Sequence, residues 1–114
     1  MTWLTVALAC SGLLAFSGAV VGQDTKTVER GKQIYVEQKC KLCHSVGGVG
    51  NPKGALDEVG GKHGADTLKQ WLTDPKGMAQ KAAATRKPPM KSFSTLPAAD
   101  LDALVAYLST LKKE

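Results

Sequence analysis

Residues 40–44 read Cys-Lys-Leu-Cys-His. Two thiols three positions apart, with an imidazole beside the second, suit three kinds of chemistry. A zinc site takes two ligands from CxxC and needs two more, but the chain's histidines are His44 and His63, and His44 adjoins Cys43 too closely for finger spacing. A thiol redox pair belongs at the head of a helix in a βαβ setting, and no strand pattern supplies one. The third chemistry is covalent haem attachment, in which both sulfurs add to porphyrin vinyl groups and the adjacent imidazole is held beneath the iron. Composition alone gives this pentapeptide on the order of once in a thousand such chains.

Iron held by one imidazole has a second axial face, and a thioether there favours the ferrous state. Met90 lies 46 residues beyond His44 and follows Pro88 and Pro89, which fix φ and pre-order the chain around it. With Met1 set aside, the rival is Met78, in a stretch that reads as helical, where methionine is more often core filler. Cys40 and Cys43 are therefore the expected attachment sites of a single haem c, with His44 and Met90 as axial ligands.

The elements that must position these residues are helical. From Thr27, a candidate N-cap, Val28, Gly31, Ile34 and Tyr35 recur at three and four, predicting a helix to about Gln38 that delivers the chain into Cys40. Residues 46–64 hold seven glycines and Asn51-Pro52, the mark of a loop lying over a surface. Leu68, Trp71 and Leu72 form one face of a short helix after Asp66, stopped at Asp74-Pro75. Residues 78–84 suit another turn or two, and residues 86–90 must be extended. Leu101, Leu104, Val105, Leu108 and Leu111 stripe a last helix starting at Pro97, with Asp100 and Asp102 at its positive end and Lys112 and Lys113 at its negative end. No period-two alternation is visible, so the domain is expected to be all-α.

No residue from Trp3 to Val21 is charged, which makes residues 1–22 a signal peptide or an N-terminal membrane anchor and residues 23–114 the domain. Ser17-Gly18-Ala19 and Val20-Val21-Gly22 offer small residues for cleavage, which favours export, most simply to a bacterial periplasm; a retained anchor would hold the domain at the periplasmic face of the inner membrane. Cys10 falls in this discarded stretch, leaving two cysteines too close together to staple distant loops. The net charge of +5 belongs wholly to the domain. Its lysines are dispersed and only Tyr35, Trp71, Phe93 and Tyr107 are aromatic, so no nucleic-acid surface is expected. So few aromatics in one small domain leave a core that a prosthetic group would help to fill.

Over residues 27–111 the chain resembles small class I c-type cytochromes: CKLCH, Gly31 with Tyr35, "LDEVGGKHGADTLKQWLTDP", "KPPM" and "LPAADLDALVAYLSTLK" carry the likeness. The resemblance implies a cytochrome c fold of three to four helices around one haem, the first helix crossing the last, with Gly31 at the close approach and Tyr35 near Tyr107. Such proteins often place a proline before the leucine matching Leu56, near the carbonyl that holds the ligand histidine; here Ala55 stands in that place, the accepting carbonyl is open, and Pro52 is a candidate. Trp71 suits either a propionate donor or plain core, and His63 either a replacement ligand or a solvated side chain.

A filled His/Met coordination sphere implies outer-sphere electron transfer, not enzymatic turnover, between exported or membrane-bound redox proteins. Lys39 and Lys41 beside the motif and Lys87 and Lys91 beside Met90 suit docking on an acidic redox partner, or simple solubility. The alternative is a haem enzyme or gas-binding sensor in which Met90 is off the iron or labile.

Overall fold

A computed structural model of the chain describes residues 24–113, together with Gly12. The leader expected over residues 1–22, with Cys10, otherwise lies outside the described residues.

The first helix, α1 (Thr25–Glu37), starts three residues earlier than its apolar spacing suggests, because Asp24 caps it by accepting from the Lys26 amide at 3.3 Å. Thr27 is thus inside the helix, its hydroxyl turned to the Asp24 carboxylate at 3.5 Å. The helix buries Gly31, Ile34 and Tyr35. These face α5 (Ala98–Ser109), where a Cβ on Gly31 would overlap the Ala103 carbonyl and crowd the Tyr107 Cβ, so the two backbones touch. One turn further along, the Tyr35 and Tyr107 rings meet edge to face at 5.7 Å. Arg30 closes the other end of the crossing with a two-pronged contact to Asp100, at 3.3 and 3.2 Å. This is the crossing that the resemblance implies.

Seven residues of α5 are buried, including Ala103 and Ala106, which the expected stripe omits. The reason is that α1, α3 (Ala65–Thr73) and the single-turn α2 (Val59–Lys62) all pack around this helix. It ends at Ser109, so Leu111, Lys112 and Lys113 lie beyond its last turn and the expected cations at its negative end are absent from it. Leu111 still packs on the core, and its carbonyl accepts from the Gly60 amide at 2.8 Å.

Asp74-Pro75 ends α3 and also starts the next helix, α4 (Pro75–Lys81), which therefore comes earlier than the expected turns at residues 78–84. Proline at the first helical position loses no hydrogen bond, and the Asp74 side chain caps the helix by accepting from the Gly77 amide at 3.1 Å. Beyond it the chain runs without helix or strand from residue 82 to Pro97, with bends at Lys87 and Pro88.

The fold is mostly helical, as expected, with one addition. Strands β1 (Ser45–Val46) and β2 (Val49–Gly50) pair antiparallel around Gly47-Gly48, both at positive φ. Two-residue strands are too short to display alternation, but Gly-Gly between two valines is itself a hairpin signal. No helix among the described residues is long and apolar enough to cross a membrane.

Candidate functional site

Three features of the local chain bring the motif together. After α1, Lys39 takes a left-handed conformation with φ of 56°, turning the chain into a 3-10 turn over Cys40–Leu42. The Cys43 and His44 amides both donate to the Cys40 carbonyl, at 3.1 and 2.9 Å, which folds the pentapeptide back on itself. Cys40 is half-buried against the core, Cys43 is exposed, and both thiols are unpaired.

Asn51 then staples the loop. Its amide N–H is shared between the Lys41 and His44 carbonyls at 3.1 and 3.0 Å, and its side-chain nitrogen donates to the Leu42 carbonyl at 3.3 Å. Its side-chain oxygen accepts from the Lys53 amide at 3.0 Å, capping a second 3-10 turn, Pro52–Gly54. Asn51-Pro52 reads in sequence as part of a loop, yet a capping residue followed by proline at the first helical position is the local signal for this turn.

That turn presents the Gly54 carbonyl to His44 Nδ1 at 3.0 Å, so Gly54, not Pro52, is the histidine's partner. A carbonyl only accepts, so Nδ1 carries the proton and the lone pair lies on Nε2. Burial pushes the His44 pKa below its ordinary value; the Gly54 bond opposes this and the nearby Arg86 charge adds to it. The result is a neutral imidazole fixed in orientation, the form that ligates a metal.

The residues around the motif fit a haem. Cys40 is held as a thiol, its pKa pushed up to about 11 chiefly by burial, with its backbone and Lys91 pulling the other way. Beside it the Tyr35 hydroxyl is buried and finds no hydrogen-bond partner, and burial raises its pKa to about 12. A half-buried thiol, an oriented imidazole and an orphaned hydroxyl on the preceding helix are a donor set the polypeptide alone does not use.

Met90 is half-buried and packs against the core cluster that holds Ile34, Tyr35 and Leu104, with Cys40 and Leu56 on the same cluster. Met78 sits mid-helix in α4 and is not part of that packing. Trp71 is half-buried and outside the cluster, while His63 is half-buried at the end of α2. Lys39, Lys41, Lys87 and Lys91 are all exposed, Lys91 with its ammonium 5.2 Å from the Phe93 ring centre.

The family model for cytochrome c matches residues 28–112. The chain is also 31% identical over 104 residues to the cytochrome c oxidase subunit 2 of Alkalihalophilus pseudofirmus, a match that covers 82% of this chain and 29% of that protein. The chain thus spans less than a third of the curated relative it matches. No solved structure matches significantly.

Proposed function

The chain belongs to the cytochrome c family, and from that premise we propose that it serves haem-based electron transfer as a one-electron carrier holding a single haem c covalently. The bound haem supplies a ferric/ferrous couple. Cys40 and Cys43 would hold it through two thioethers, each S–H adding across a vinyl double bond with no atom lost. His44 offers Nε2 to the iron while the Gly54 carbonyl keeps its ring from turning. Met90 Sδ would supply the iron's second protein ligand. The observation that carries this reading is the 3.0 Å bond from His44 Nδ1 to the Gly54 carbonyl, which leaves the correct nitrogen free directly after the second cysteine.

With His44 and Met90 both on the iron, neither substrate nor diatomic gas would have an open coordination site, which favours a carrier over the haem enzyme or gas sensor. Carbon monoxide separates the two. The ferrous protein at neutral pH is expected to keep its visible spectrum under carbon monoxide, and a ready shift to a carbonyl spectrum would contradict the carrier reading.

Family membership implies redox protein partners. The partner's side is proposed to be acidic, meeting Lys39, Lys41, Lys87 and Lys91, and the name of the oxidase-subunit relative suggests a respiratory oxidase as the class of acceptor. We place the domain outside the cytoplasm, in a bacterial periplasm, with residues 1–22 removed; the intact mass of the purified protein reads this directly, and a mass that includes those residues would favour the retained anchor instead.

A further inference from the structure

Between the Ala84 amide, bonded to the Ala79 carbonyl, and the Phe93 amide, bonded to the Leu72 carbonyl, no backbone–backbone hydrogen bond fixes the chain. Residues 85–92 include Met90, and a weak thioether ligand on so loosely held a segment needs another restraint. Among the described residues, two side-chain hydrogen bonds tie this segment to parts of the chain distant in sequence. Ser92 donates to the Thr73 carbonyl at 2.9 Å, beyond Met90. Before Met90, Arg86 donates from Nη2 to the carbonyl of Cys43, 43 residues away in sequence.

Arg86 reaches that carbonyl across Gly54. A Cβ there would overlap both Arg86 Nη1 and the Cys43 carbonyl, and would sit 2.9 Å from His44 Nδ1. The missing side chain at Gly54 is therefore the slot through which the guanidinium passes. Its two neighbours are the backbone of the second attachment cysteine and the residue that orients His44. A guanidinium is charged at every working pH and presents its donors in a rigid plane, so it holds such a carbonyl more firmly than a neutral donor would.

We propose that Arg86 is a positioning residue that latches the Met90 loop onto the backbone beneath the histidine ligand, so that the two axial ligands are held by one connected unit. The proposal rests on Met90 being the sixth ligand. Opening the loop, the step that must precede replacement of Met90 by an outside ligand, then requires breaking the bond from Arg86 to Cys43. The guanidinium also places a fixed positive charge beside the histidine's support, which disfavours the ferric state.

The test compares wild type, Arg86→Gln, Arg86→Lys and Met90→Ala as holoproteins, through the rate of cyanide binding to the ferric form and the reduction potential. Arg86→Gln is expected to bind cyanide about tenfold faster or more, the scale of one lost charge-assisted hydrogen bond, and to show a lower potential. Arg86→Lys retains the charge but loses the planar fork, so it is expected to keep the potential near wild type while binding cyanide at an intermediate rate. Arg86 is exposed and, among the described residues, hydrogen-bonds the Cys43 carbonyl and nothing on α1 or α5, so the helical circular dichroism should match wild type in both variants. Wild-type cyanide kinetics in Arg86→Gln, alongside rapid binding in Met90→Ala, would overturn the latch and leave the ligand assignment standing. Unchanged cyanide binding in Met90→Ala itself would instead defeat the ligand assignment, and the latch with it.

Discussion

Met90→Ala is expected to lower the reduction potential by on the order of 0.1 V or more, a fraction of the ~0.8 V over which axial ligands tune haem iron, and to change the visible spectrum of the ferric protein. A soft sulfur stabilises ferrous iron more than ferric, so its loss favours oxidation. The loop around it is set up for that role. Pro88 and Pro89 restrict the backbone ahead of it, the Phe93 amide bonds the Leu72 carbonyl at 2.7 Å behind it, and the Met90 side chain packs on the core that also carries Cys40. Met78→Ala, on α4 and away from that core, should alter neither spectrum nor potential. A redox titration of both variants checks this, and equal effects would contradict the assignment.

Gly31→Val is expected to be the most damaging single change to the fold. The nearest obstacle to a Cβ at this position is backbone, the Ala103 carbonyl of α5, with the Tyr107 Cβ close behind. No rotamer relieves an overlap with a carbonyl, so α1 must lift off α5 and the Tyr35–Tyr107 contact opens with it. Overpacking of this kind costs about 3 kcal/mol, which in a domain of this size corresponds to a melting temperature lower by roughly 12–24 °C. Gly61→Ala is the matched control: a Cβ there meets nothing within 4 Å, so its melting temperature should equal or slightly exceed wild type. Thermal unfolding followed by circular dichroism compares the two, and equal losses would show that glycine content, not helix contact, was at stake.

The parts of this fold that were legible in the sequence are those whose signals are local and repeated. α1 and α5 carry apolar residues at helical spacing over three turns, and the pentapeptide at residues 40–44 has few chemical uses. The helix ends were less legible. Asp24 displaced Thr27 as the cap because both residue types can cap, and the choice depends on which backbone bends. Asp74-Pro75 reads as a stop or a start with equal sequence support, and it does both.

The histidine's partner could not be read from spacing, since any carbonyl between Asn51 and Leu56 was in range and a backbone acceptor has no side-chain signature. The bond goes to Gly54 because Asn51 caps the turn that aims that carbonyl, an effect of loop geometry three residues away. Arg86 was equally silent in sequence. It stands among dispersed basic residues, and only the slot above Gly54 distinguishes it from the solvated lysines around it.

The central claim is that a haem is bonded to the sulfurs of Cys40 and Cys43, and acid-acetone extraction of the denatured protein, made in a host able to mature c-type haem, tests it most directly. The account predicts that the colour stays with the polypeptide, and that mass spectrometry finds one haem on the peptide containing residues 40–44. Colour that passes entirely into the solvent, leaving both thiols free to react with an alkylating reagent, would contradict it.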